Sequence, residues 1–258
     1  MTFPPRNGLM PFLFQGFSVT LCLCGESTAR VWSAAIITLA FAVLARAIRG
    51  VSTSGAIAGA VICFLLYSSA GPGAFAALIS VFVLAWITTR IGYQQKQALG
   101  TAEKREGRTA AQVLANLSAA ALCAVLAALS HRPAFLLATV AALAEAAADT
   151  VSSEIGQARS RQARLITTWE VVPAGTDGGI TLAGTGAGAL AAAVVAAVSV
   201  FTRLIPWSWF LIVLLAAVAG TLIDSLLGAL LERKHLLNND AVNFLSTLCA
   251  AMIALVMA

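Results

Sequence analysis

Four carboxylates in this sequence stand where carboxylates are costly. Glu145 and Asp149 lie four residues apart in one apolar stretch, Glu154 follows Ser152 and Ser153 at its end, and Asp224 lies in a second stretch. An ionisable group at membrane depth is a functional candidate by default, because removing it from water is expensive. On a helix Glu145 and Asp149 share a face, which Ser152 and Ser153 continue. Glu154 is five residues beyond Asp149, about 140° around, so the two converge only if the helix breaks near residue 150. Carboxylates flanked by hydroxyls at a helix end suit a hard cation such as Mg²⁺. The same groups would also serve as solvated residues of the headgroup region.

A second cluster, Pro173-Ala-Gly-Thr-Asp-Gly-Gly179, leads into another apolar stretch. Gly175, Gly178 and Gly179 let backbone amides approach an anion, and a helix N-terminus adds a favourable partial charge. Thr176 or Asp177 fits an ordinary N-cap equally well, and no Gly-Lys-Ser/Thr follows, so this is not a P-loop. The neighbouring Arg159, Arg161 and Arg164 suit either phosphates or topology. Asp224 shares a stripe with Gly220 and Gly228, so a packed neighbour must supply a metal or a cationic partner. After Asn238, residues Asn239, Asn243 and Thr247 occupy one face of the last apolar stretch. Such amides bind a ribose, a base or a phosphate, or simply hydrogen-bond between helices.

The elements that must position these residues are membrane helices. Of 258 residues, 60% are hydrophobic and 10% charged, with a mean hydropathy of +0.90, against about 25% charged residues in soluble domains. The apolar residues run in long stretches, and a helix needs about 20 residues to cross a hydrocarbon core of roughly 30 Å. Such runs are too long and unbroken for barrel strands. The expected fold is an all-α, polytopic helical bundle with spans near 32–48, 55–70, 73–91, 110–129, 134–150, 179–201, 207–231 and 241–258. About eight helices are expected, within a range of seven to nine. Residues 1–31 form an N-terminal extension, whose apolar stretch 9–24 reads as a further span, an interfacial segment or a leader. Residues 32–258 form a single membrane domain. Gly184 and Gly188 are expected to let helices approach closely.

Lys and Arg test this layout, because they gather on the cytoplasmic side of short loops. Arg46, Arg49, Arg90, Lys96, Lys104, Arg105, Arg108, Arg159, Arg161, Arg164, Arg233 and Lys234 fall on one side, and only Arg132 and Arg203 fall in loops of the other. The basic loops are thus cytoplasmic, in what is expected to be a bacterial inner membrane. A pI near 9.3 then reports topology, and no nucleic-acid partner is expected. Of the five cysteines, Cys22 and Cys24 form the one close pair; all five read as small apolar fillers. Asp149, Glu154, Asp177, Asp224 and Asn239 to Asn243 fall near the basic face, as a site joining a soluble phosphorylated compound to a lipid requires. Phosphoryl transfer suits that combination, because its catalysis is mainly positioning and charge neutralisation.

At these residues the chain resembles the phytyl-phosphate kinase family, which includes the transmembrane protein 19 group. The matching segments are Lys104–Thr109, Gln112–Asn116, Ala148–Gly156, Arg164–Thr168, Val172–Thr181, Asp224–Ala229 and Asn238–Asn243, in the family's order over roughly 32–258. The family's Asp-Thr-Trp-Ala-Ser-Glu stands here as Asp149-Thr-Val-Ser-Ser-Glu154. The resemblance implies a phosphotransferase that converts an isoprenoid monophosphate to its diphosphate with Mg²⁺ and a nucleoside triphosphate, CTP or ATP. Asp149, Glu154 and Asp224 would hold Mg²⁺. Arg164 and Gly175 to Gly179 would bind phosphates, with Lys104 beside them. Arg105 or Arg108 would neutralise the transferred group, and Asn238, Asn239 and Asn243 would position nucleotide or lipid. The alternative is a transporter or flippase of a lipid phosphate, which predicts polar groups at the bilayer midplane and an internal repeat. Prenyl chain length and oligomeric state are open.

Overall fold

The computed structural model describes residues 31–258; the stretch 9–24 and the pair Cys22 and Cys24 lie outside them. The described chain is a bundle of apolar helices: α1 (Val31–Ala47), α2 (Thr53–Arg90), α4 (Ala110–Ser130), α5 (Ala134–Arg159), α6 (Leu182–Phe201), α7 (Phe210–Leu227) and α8 (Asn239–Met257), with a short α3 (Tyr93–Leu99) after α2. All but α1 and α3 are long and apolar enough to cross a bilayer, α7 counting with its flanking turns Trp207–Trp209 and Gly228–Glu232.

The 38 residues of α2 are two spans. Gly71 (φ 80°, ψ −169°) breaks the helix just before Pro72, because glycine reaches that conformation without a Cβ clash and proline cannot donate to the preceding turn. The chain doubles back there, with Tyr67 and Phe75 packed edge to face at 5.9 Å. Both ends of α2 lie together: Ile48 O accepts from Trp86 Nε1 (3.3 Å) and from Arg90 Nη2 (3.0 Å). With α1, whose 17 residues are near the lower limit for a crossing, the described residues contain the eight apolar spans expected.

Helix α5 is the axis of the bundle, with Leu137 through Ala148 buried without interruption. Small residues let its neighbours approach. A Cβ on Gly188 would lie 2.7 Å from Ala148 O, and one on Gly184 would lie 2.5 Å from Ser152 O, so α6 packs backbone to backbone against α5. The connection after α5 adds a feature that the apolar pattern does not announce, a three-stranded antiparallel sheet. Its order is β2-β1-β3, with β1 Gln162–Leu165, β2 Val171–Pro173 and β3 Gly179–Ile180.

Candidate functional site

Two cavities lie side by side at the end of the bundle where α2 finishes, α4 begins and α5 ends. One, of about 310 Å³, is polar; α5 contributes Asp149, Thr150, Ser152 and Ser153, α7 Asp224 and Ser225, and α8 Asn239 and Asn243. The other, of about 400 Å³, is apolar, lined by Phe41 and Ala45 of α1, by Gly59, Val81 and Phe82 of α2 and by Leu117 of α4. Glu103, Arg108, Gln112, Asn116 and Thr150 line both.

Arg108 is held at this junction by its own backbone. Its carbonyl accepts from Ser52 N (2.9 Å) and its amide donates to Gly50 O (3.3 Å). Gly107 (φ 85°) makes that contact feasible, because a Cβ there would fall 2.6 Å from the Gly50 carbonyl carbon. The side chain then reaches inward, donating from Nη1 to Thr150 Oγ1 (3.4 Å) and facing Asp149. Thr109 and Gln112 form a capping box that starts α4. Gln112 Nε2 also donates to Glu103 Oε2 (3.0 Å), so the loop after α3 is tied to the helix it precedes.

Across the polar cavity, Asp149 and Asp224 stand beside each other, and Glu145 lies one turn deeper facing both. Gly220 makes the space: a Cβ there would lie 2.6 Å from Glu145 Cγ. The expectation that Gly220 and Gly228 admit close neighbours holds, with different neighbours for each. Gly220 admits a side chain of α5, whereas Gly228 admits the loop, its absent Cβ lying 2.9 Å from Gly178 N. The glycine-rich turn therefore seats on the end of α7, and Gly175 to Gly179 line the polar cavity.

The turn is not the start of α6. Thr181 caps that helix, accepting from Gly184 N at 3.0 Å, and residues 175–179 form a turn leading into β3. Within it Thr176 Oγ1 donates to Pro173 O (2.8 Å) and Gly179 N to Thr176 O (2.8 Å). The Gly179 amide is thus spent inside the turn, and neither Thr176 nor Asp177 is the N-cap.

Several expected site residues are placed elsewhere. Helix α5 does not break at residue 150 but runs to Arg159, so Glu154 turns away from Asp149 and toward α2 and α3. Its carboxylate pairs with the buried Lys96 and accepts from Thr89 Oγ1 (2.9 Å). Lys96 also donates to Thr88 O (3.2 Å) and Thr89 O (2.7 Å). Glu154 borders the polar cavity, yet both its oxygens are engaged. Arg164 is exposed on β1 and donates to Trp169 O (2.9 Å), outside both cavities. Asn238 is the N-cap of α8, accepting from Ala241 N (2.9 Å). Lys104 and Arg105 line the apolar cavity only.

Glu103, Gln112, Asn116, Thr150 and Ser225 belong to the cavities although nothing in the motif chemistry singled them out as site residues. Gln112 and Asn116 carried a signal, since two amides four apart open an otherwise apolar helix and so share a face. Glu145 was noted for its spacing from Asp149 but given no role.

These features define a class: an integral membrane protein with a polar, carboxylate-bearing cavity adjoining an apolar one at one end of its helices. The chain belongs to the family described as integral membrane protein DUF92, whose profile matches residues 36–251. This agrees with the resemblance seen in its motifs. It is 35% identical over 230 residues to an uncharacterized membrane protein of Methanocaldococcus jannaschii, covering 88% of this chain and 94% of that one. It is 34% identical over 221 residues to the chloroplastic protein VTE6 of Arabidopsis thaliana, covering 81% of this chain and 66% of that protein. It is likewise 34% identical over 196 residues to an uncharacterized membrane protein of Synechocystis, covering 74% of this chain and 76% of the relative. No solved structure matches the chain.

Proposed function

We propose that this protein is a membrane-embedded prenyl-phosphate kinase, transferring a phosphoryl group from a nucleoside triphosphate, CTP or ATP, to an isoprenoid monophosphate. The observation that carries this reading is the meeting of an apolar and a polar cavity at Arg108. A lipid tail suits the first cavity and nucleotide phosphates suit the second, so the lipid's phosphate falls at the one cationic side chain that lines both. The motif resemblance and the relationship to VTE6 support the same reading, and the positive-inside asymmetry supports a site on the cytoplasmic side.

In the transfer, an oxygen of the lipid phosphate attacks the terminal phosphorus of the nucleotide. A P–O bond forms, the bond from that phosphorus to its bridging oxygen breaks, and the nucleoside diphosphate leaves with the electron pair. A phosphate monoester is largely doubly ionised at neutral pH, its second pKa being about 6, so the acceptor needs no general base. Arg108 balances charge between acceptor and donor, while Asn239, Asn243 and the 175–179 turn orient the nucleotide.

Mg²⁺ fits the residues present. No three His, Cys, Asp or Glu side chains among the described residues form a ready cage. Mg²⁺, however, keeps several waters and takes one or two carboxylates, and Asp224 Oδ2 is buried without a hydrogen-bond partner. Asp149 and Asp224 would hold the ion, which when bound neutralises charge on the nucleotide phosphates.

The test is to incubate the purified protein with farnesyl, geranylgeranyl or phytyl phosphate, Mg²⁺ and each terminally labelled triphosphate. A labelled prenyl diphosphate is the expected product. Translocation of the lipid phosphate across vesicles without any diphosphate would contradict the kinase and favour a transporter.

A further inference from the structure

Glu145 has no part in the transfer described above, yet among the described residues it is the side chain with two buried oxygens lacking any hydrogen-bond partner. It is fully buried, in the middle of α5, where α7 and α8 close over it. Among the described residues the buried side-chain oxygens and nitrogens without a hydrogen-bond partner are three: Glu145 Oε1, Glu145 Oε2 and Asp224 Oδ2. All belong to two carboxyls that face each other. An unpaired charge in such a place costs several kcal/mol or more, and even a neutral carboxyl loses its hydrogen bonds to water.

The surroundings offer oxygens and almost no positive charge. Ser246 stands within reach of both carboxyls, and its hydroxyl also reaches Asn243 O (3.1 Å), so one hydrogen serves three acceptors and its oxygen lone pairs remain. The other ionisable neighbours of Glu145 are Asp149 and Cys249, and those of Asp224 are Asp149 and Glu232. The charge balance of the cluster includes one guanidinium, Arg108, which acts on Asp149. Gly220 makes room for the Glu145 side chain itself, since a Cβ there would fall 2.6 Å from Glu145 Cγ and 2.9 Å from Ala250 Cβ. Buried carboxyls that face each other with three unpartnered oxygens, beside a hydroxyl oxygen and with one guanidinium for the whole cluster, are the donor set of a hard cation.

We propose that Glu145 and Asp224, with Ser246 Oγ, seat a divalent cation among α5, α7 and α8, beneath the polar cavity that Asp224 lines and one helical turn below Asp149. This cation is resident in the absence of nucleotide, and its site stands whether or not the kinase reading does. It ties α5, α7 and α8 together directly beneath the carboxylates read as nucleotide-facing, and so fixes the Asp149–Asp224 geometry before substrate arrives.

Mn²⁺ serves as the probe. The full chain is purified in detergent, stripped with chelator and titrated with Mn²⁺ without nucleotide or lipid, and the loss of the free-ion EPR signal is followed. The wild type is expected to bind Mn²⁺ and to release it to excess Mg²⁺. Glu145→Gln is expected to weaken binding about tenfold or more, Ser246→Ala by less, and Glu170→Gln, exposed and outside both cavities, not at all. Wild-type affinity in Glu145→Gln, or no binding by the wild type, would overturn the proposal. The second outcome needs no variant to fold. Failure of the prenyl-phosphate assay alongside normal Mn²⁺ binding would sink the kinase reading and leave this site standing.

Discussion

The two cavities are opposites built mainly on different helices, and they share Glu103, Arg108, Gln112, Asn116 and Thr150. The apolar one is walled by α1, α2 and α4, where Phe41, Val81, Phe82 and Leu117 face one another. The polar one is walled by α5, α7 and α8 together with a glycine turn and a small sheet. An apolar hollow in a membrane protein is inexpensive, because lipid tails fill it as readily as side chains do. A polar hollow at membrane depth is costly unless something recovers the desolvation. The polar side therefore carries the functional signal, while the apolar side gains meaning only from adjoining it at Arg108.

The largest expected effect comes from breaking the polar side. Asp224→Asn is nearly isosteric and is expected to leave the fold intact. It should lower phosphoryl transfer on the order of a hundredfold or more, because a charge that neutralises phosphate is lost from the transition state. Asp149→Asn should behave likewise, and the double variant should be little worse than either alone, since the two act as a unit. Near-normal turnover by Asp224→Asn at saturating Mg²⁺ would place the transfer site elsewhere.

A smaller effect is expected at the partition between the cavities, and it is read in stability. Lys96 is 1% exposed and clamps α3 to Glu154 and to the end of α2, positioning the loop that carries Glu103 and Arg108. Lys96→Met leaves a mostly buried carboxylate without its cation, a loss of about 3 kcal/mol. It should lower the melting temperature in detergent, and adding Glu154→Gln should recover part of the loss. In metal-free protein Glu145→Gln should lower it far less, because that carboxylate has no cationic partner to lose. Equal losses at both glutamates would erase the distinction drawn between them.

Much of this arrangement was legible in the sequence. The break at Gly71-Pro72 separates two runs of ordinary span length, so the doubled α2 could be read without coordinates. Asp149, Asp224, Asn239, Asn243 and the 175–179 turn were visible because polar residues at the ends of apolar runs stand out. Glu154 was read without its partner, because Lys96 resembled one more topology charge and nothing local shows a lysine to be buried. Arg164 was misread because strands of two to four residues carry too little periodicity to reveal that it points outward from a sheet. Asn238 satisfies the start of α8, a role its type and position also allowed. Glu145 showed its spacing but not its isolation, which depends on α7 and α8 closing over it.

If the two cavities hold the two ends of one reaction, two-substrate kinetics on Gly59→Phe should separate them. Gly59 lines the apolar cavity, and a Cβ there meets nothing within 4 Å, so a ring fits without disturbing the helix and occupies space assigned to the lipid tail. KM for the prenyl phosphate is expected to rise several-fold, about 1 kcal/mol of lost apolar contact, and to rise more for a longer chain. KM for the nucleotide and kcat should stay at wild-type values. A nucleotide KM that rises in step with the lipid KM, or a lipid KM that does not move, would contradict that division between the cavities.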